Sequence, residues 1–103
     1  MKKFLIIAAG TLALLSAGAA VAGDAAAGKA KAAMCAACHG PTGVSVNPLW
    51  PSLAGQQEAY LAKQITAFRD GTRSDPLMAP MAAALSDVDI ADLAAFYAAQ
   101  TCK

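Results

Sequence analysis

The chain has 103 residues, with eight basic and seven acidic side chains and a formal net charge of +1. This length allows one domain at most. The basic residues form no patch interleaved with aromatic residues, which argues against a nucleic-acid partner.

The first 22 residues have the layout of a secretory signal peptide. Two lysines precede an apolar run at residues 4–15, and the small residues that follow end in Ala-Val-Ala at position 22. Leaders of this kind are cleaved after the A-x-A end. The alternative is an uncleaved membrane anchor, but a spanning helix needs roughly 20 apolar residues. We therefore predict a signal peptide at 1–22, cleavage after Ala22, and an exported domain at 23–103 without a membrane span.

Three helices and no strands are predicted after the leader. The first covers residues 25–35 with Asp24 as its N-cap, the second covers 57–70 before Gly71, and the third starts at Ser86. Their apolar spacing predicts buried faces at Tyr60, Leu61, Ile65 and Phe68 on the second helix, and at Ile90, Leu93, Ala94 and Tyr97 on the third. The fold class is all-α.

Two loops rich in proline and glycine separate these helices, at residues 40–55 and 71–85. Loops of this length are usually functional in a small domain. A domain of about 80 residues is also near the limit of what an apolar core alone can stabilise. A cofactor held between the loops would give the loops a function and would help to stabilise the small core.

Cys35-Ala36-Ala37-Cys38-His39 is a C-x-x-C-H sequence, the pattern of covalent haem c attachment. The two thiols form thioethers with the two haem vinyl groups, and His39 offers an imidazole to the iron. A thiol–disulfide motif is the main alternative, but it normally lies in a βαβ setting. A zinc site would need four ligands, and only distant Cys102 could be added.

His39 is the only histidine, so the second axial ligand must be another residue type. Met/His ligation is the arrangement of electron-transfer haems. Met34 adjoins the attachment turn and cannot reach the opposite haem face. Met78 and Met81 both lie in the loop before the last helix, and the spacing leaves both open.

Four stretches together resemble the class I c-type cytochromes, both the small bacterial monohaem kind and the single domains of the dihaem kind. They are GDAAAGKAKAAMCAACHG, PLWPSLAGQ, FRDGTRSDPLMAPM and LSDVDIADLAAFYAAQ. The resemblance implies a small cytochrome c fold of three main helices and long loops wrapped around one covalent haem c. It also implies periplasmic location.

The resemblance implies roles for single residues. The family's ligand methionine lies eight residues before the serine that starts the last helix, which selects Met78 and leaves Met81 as the alternative. Pro48, nine residues after His39, matches a proline whose carbonyl accepts a hydrogen bond from the imidazole. Gly28 is expected to pack against Phe96 or Tyr97.

The function implied is one-electron transfer in the periplasm through a haem iron with both axial positions filled. No acid–base constellation is present, so we do not expect an enzyme. The expected partners are a redox donor and acceptor, such as a membrane cytochrome complex and a terminal oxidase or reductase. The alternatives are a haem-bearing subunit or domain of a larger oxidoreductase, and a haem sensor with an open axial site. Cys102 departs from the family pattern and is an idle thiol or a dimer crosslink.

Overall fold

The computed structural model describes residues 22–102, so the predicted signal peptide lies outside the described residues except for Ala22. The elements in chain order are α1 Ala25–Lys31, α2 Ala33–His39, α3 Glu58–Asp70, α4 Met78–Ala82 and α5 Asp87–Ala98. Residues 22–102 contain no strand, which confirms the all-α prediction. None of the helices in this range is long and apolar enough to cross a membrane.

The first predicted helix is two helices joined at Ala32. Asp24 caps α1 as predicted, because its side chain accepts from the backbone N–H groups of Ala26 at 2.9 Å and Ala27 at 3.2 Å. Ala32 then takes φ −72° and ψ −8°, and its carbonyl accepts from Cys35 three residues on. Ala32 is only 4% exposed, so the junction lies in the core.

The ends of α3 and α5 follow the sequence closely. Gly71 ends α3 in the left-handed conformation with φ 83°. Ser86 begins α5 with a capping box, in which its hydroxyl accepts from Asp89 N and its own N–H donates to the Asp89 carboxylate, both at 3.0 Å. Two backbone N–H groups that have no acceptor within the helix are therefore hydrogen-bonded at the start of α5.

A short helix, α4, lies within the loop for which we predicted no regular structure. It holds Pro80 and follows Pro76 closely. Proline is tolerated in a first helical turn because that turn has no intrahelical acceptor for its N–H groups. The two prolines therefore help to start this helix and do not prevent it.

The core is formed mainly by α5 against α1 and α3. The predicted α5 stripe is confirmed, with Ile90, Leu93, Ala94 and Tyr97 between 0% and 2% exposed. On α3 the prediction is confirmed for Leu61, which is 4% exposed, but Tyr60 is 48% exposed and is not part of the buried face.

The crossing of α1 and α5 is close because Gly28 lies at the contact. A Cβ at Gly28 would lie 2.0 Å from the Asp92 carbonyl oxygen and 2.8 Å from Phe96 Cβ. This confirms the predicted packing of Gly28 against Phe96. Larger residues at this position would force the two helix backbones apart.

A buried carboxylate joins the same two helices. Asp92 is 6% exposed, and its oxygens accept from the Asp24 backbone N–H at 2.8 Å and from Lys31 Nζ at 2.7 Å. Lys31 also pairs with Asp89 at 2.8 Å. The Asp92 carboxylate is thus bonded to Lys31 of α1 and to Asp24, the N-cap of α1. These bonds fix the position of α5 along α1 where the two helices cross.

Candidate functional site

The C-x-x-C-H residues lie on α2, with His39 as its last residue. Gly40 ends the helix with φ 86°, and its N–H donates to the Ala36 carbonyl. A Cβ at Gly40 would lie 2.1 Å from the Val44 carbonyl oxygen, so the chain turns back immediately after His39. This turn brings the first loop over the imidazole.

The imidazole of His39 is buried, with 7% exposure, and held by a backbone oxygen. Its Nδ1 lies 2.7 Å from the carbonyl oxygen of Pro51. A carbonyl only accepts, so Nδ1 carries the proton and donates it, and Nε2 has the free lone pair. Bonds of this kind fix the ring orientation and strengthen the imidazole as a metal ligand.

The acceptor is Pro51, so the prediction of Pro48 for this role is wrong. Pro48 lies on the exposed part of the loop. The loop folds back because the Leu53 and Ala54 N–H groups both donate to the Gly43 carbonyl, at 2.7 and 3.0 Å. These bonds place Pro51, three residues beyond Pro48, next to the ring.

The two thiols of α2 are both half-buried, and Cys35 packs against the core. Burial raises the pKa of the Cys35 thiol above its ordinary value. The thiolate is the reactive form in thiol–disulfide exchange, and the proteins that use it lower the pKa of the attacking cysteine. The environment of Cys35 therefore argues against the thiol–disulfide alternative.

Met78 is the first residue of α4 and is half-buried near His39. Its backbone N–H donates to the Asp75 carboxylate at 2.9 Å, and that of Leu77 donates to the same oxygen at 2.8 Å. Met81 lies one helical turn further on and is 36% exposed. Sequence reasoning did not identify Asp75, although an Asp directly before a proline is a known helix-start signal.

The residues around α2 have the chemistry that a covalent haem needs. They offer two thiols three positions apart and an imidazole whose Nδ1 is already bonded, and Met78, which carries a thioether, lies near His39. Leu49 and Leu77, one from each loop, are 83% and 57% exposed. A planar apolar macrocycle would contact such side chains favourably. The residues present therefore fit the cofactor that the motif predicts.

Comparison with known proteins gives the same result. Residues 25–99 match the family described as Cytochrome c. The chain belongs to the cytochrome c family. It is 52% identical over 82 residues to cytochrome c-554(548) of Halomonas halodenitrificans, a match that covers 77% of this chain and 99% of that protein. The "Thiosulfate dehydrogenase electron acceptor" of Stutzerimonas stutzeri is 46% identical over 67 residues, 62% of this chain and 31% of that protein.

The resemblance to the single domains of dihaem c-type cytochromes is confirmed too. Cytochrome c4 of Pseudomonas aeruginosa is 54% identical over 79 residues, which are 77% of this chain and 39% of that protein. The crystal structure of reduced recombinant cytochrome c4 from Pseudomonas stutzeri superimposes with a TM-score of 0.75 at 43% identity. That match covers 78% of this chain and 47% of the solved one, so this cytochrome c spans less than half the length of these relatives.

This protein is thus a class I c-type cytochrome with the small all-α cytochrome c fold, related to the single domains of cytochrome c4. It binds one covalent haem c at the region of Cys35, Cys38 and His39 and is an electron-carrier haem protein.

Proposed function

We propose that this cytochrome is a diffusible one-electron carrier of the periplasm, whose haem iron is ligated by His39 and Met78. The observation that carries the proposal is the fixed imidazole of His39. Its Nδ1 donates to the Pro51 carbonyl oxygen at 2.7 Å, which leaves Nε2 for the iron, and Met78 lies near His39.

In this proposal Cys35 and Cys38 hold the haem by thioethers, and the haem supplies the ferrous–ferric couple. His39 and Met78 would be the two protein ligands of the iron and would leave no position on it for oxygen or peroxide. A thioether ligand raises the reduction potential. A site filled in this way passes electrons and has no open position for a substrate, so we propose no catalytic activity.

The partners we propose are a redox protein that donates electrons and another that accepts them. A membrane cytochrome complex and a terminal oxidase or reductase are examples of each kind. The similarity to a protein named "Thiosulfate dehydrogenase electron acceptor" supports a redox enzyme as the electron donor to this chain. We also propose that residues 1–22 are a cleaved signal peptide and that residues 23–103 form the exported domain.

One alternative keeps the same haem but places it in a larger oxidoreductase. The cytochrome c4 relatives are more than twice as long as the matched region, which supports only that such a domain also occurs within longer proteins. Purification separates the two functions, because a diffusible carrier purifies alone and a subunit purifies with its enzyme.

The test of the axial ligands compares Met78→Ala with Met81→Ala. The first should abolish the weak sulfur-to-iron band of the oxidised protein, lower the reduction potential and let carbon monoxide bind the reduced iron. The second should do none of these. The reverse result would assign Met81 and keep the carrier function, whereas carbon monoxide binding by the unaltered protein would favour a sensor with an open axial site.

Covalent attachment has a separate test. Acid–acetone extraction should leave the haem on the chain, and the intact mass should equal the mature chain plus one haem. Cys102→Ser should retain the haem, while Cys35→Ser or Cys38→Ser should reduce its attachment. Release of all haem from the unaltered protein into the solvent would disprove the thioether bonds.

A further inference from the structure

The backbone that leads into α4 depends on a single residue for its hydrogen bonds. One carboxylate oxygen of Asp75 accepts from Leu77 N at 2.8 Å and from Met78 N at 2.9 Å. The Asp75 carbonyl accepts from Ala79 N at 3.0 Å. Asp75 is therefore the acceptor for three consecutive N–H groups, with Met78 in the middle.

The flanking residues add no further N–H donor to this turn. Residues 76 and 80 are prolines, which have no backbone N–H. Between residues 76 and 80, every backbone donor is thus bonded to Asp75. If its carboxylate were removed, the N–H groups of Leu77 and Met78 would lose their acceptor, and the turn that leads into α4 would lose both of these bonds.

We propose that Asp75 is the positioning residue for the sixth iron ligand, because its carboxylate fixes the backbone of Met78 and so keeps the thioether at the iron. This inference rests on the proposed ligation by Met78. Asp75 does not itself contact the haem in this proposal. It acts by lowering the population of states in which the α4 turn is open and the sulfur is detached.

The chain offers a matched control in Asp24. Its carboxylate accepts from residues two and three positions ahead, as that of Asp75 does, but at the start of α1. Asp24→Ala therefore removes a cap of the same geometry from a helix that carries no proposed ligand. Asp75→Asn keeps an oxygen acceptor of the same reach without the charge, and asparagine caps about as well as aspartate.

The assay is titration of the oxidised holoprotein with imidazole, which binds the iron only when the methionine is detached. Its apparent affinity therefore rises with the detached fraction. For Asp75→Ala we expect affinity roughly tenfold higher, the size of one lost cap, and a weaker sulfur-to-iron band. Asp75→Asn and Asp24→Ala should both bind imidazole as the unaltered protein does.

Met78→Ala is measured in the same series to separate the two proposals. If it loses the sulfur-to-iron band but Asp75→Ala binds imidazole like the unaltered protein, the role of Asp75 is refuted and the ligation stands. If Met78→Ala keeps the band, the ligation fails and the role of Asp75 fails with it. An equal rise in Asp24→Ala would show a general loss of stability and would also refute the positioning role.

A second variant covers the case in which Asp75→Ala yields no holoprotein. Asp75→Glu keeps the charge but adds a methylene, which moves the oxygens out of the cap position. It should raise imidazole affinity in the same direction as the alanine variant. If Asp75→Glu matches the unaltered protein, then charge and not backbone positioning is what matters, and the proposal is wrong.

Discussion

Gly28→Ala should destabilise this cytochrome although alanine is the better helix former. In an isolated helix the change would be worth about 1 kcal/mol in favour of alanine. Here the new Cβ would lie 2.0 Å from the Asp92 carbonyl oxygen, which belongs to the α5 backbone and cannot rotate away. The helices must separate, and the bonds from α1 to the Asp92 carboxylate lengthen with them.

Overpacking of this kind costs about 1–3 kcal/mol and sometimes more. Because a backbone atom is the obstacle, we take the upper part of that range and expect a net loss of about 2 kcal/mol after the helix-propensity gain. For a domain of this size the melting temperature should fall by on the order of 10 °C.

The assay is thermal unfolding of the oxidised holoprotein, followed by far-ultraviolet circular dichroism. Ala30→Gly is the matched control, since Ala30 lies on the exposed side of the same helix. It should cost no more than the propensity difference of about 1 kcal/mol. An unchanged or higher melting temperature for Gly28→Ala would refute the claim that close contact requires glycine here.

Three further predictions concern the helix start, the acid range and the leader. Ser86→Ala should lower the free energy of unfolding in urea by about 0.5–2 kcal/mol through loss of the capping box, and an unchanged midpoint would contradict this role. The Lys31 hydrogen bond lowers the pKa of Asp89 to about 2 and also lowers that of Asp92 from the ordinary 3.8. Carboxylates with a lowered pKa stabilise the fold above pH 4 and lose this effect as the pH falls toward 2. Lys31→Met should therefore be less stable at neutral pH and should lose less stability on acidification. If the stability of the two proteins falls in parallel as the pH is lowered, this prediction is wrong. N-terminal sequencing of exported protein should begin directly after Ala22, whereas a retained Met1 on membrane-bound material would support an anchor.

The sequence predicts correctly those helix ends at which a capping residue or a terminating glycine stands. Ser86 and Gly71 carry the chemistry of a helix start and a helix end, and both act as that chemistry predicts. The break at Ala32 had no such signal, because the surrounding residues all favour helix. It satisfies two tertiary requirements at once, since α1 must pack on α5 while α2 presents the attachment residues.

Two errors in the loops have a shared cause. The family resemblance assigns the carbonyl role to Pro48, but the loop folds back on the Gly43 carbonyl and brings Pro51 to the ring. The prolines around α4 predict a loop by composition, although each stands where a short helix needs no N–H. Loop geometry is set by hydrogen bonds between non-adjacent residues, and spacing alone does not contain that information.

The contact between α1 and α5 also sets the order in which the molecule can be assembled. Synthesis proceeds from the N-terminus, so the residues of α1 and α2 are made before those of α5. Until α5 is made, Gly28 of α1 lacks its contacts with Asp92 and Phe96, and Cys35 lacks the core against which it packs. The thiols of the unfinished chain are therefore more accessible than those of the finished domain. When α5 packs against α1, two segments far apart in the sequence come into contact. The thiols then become less accessible.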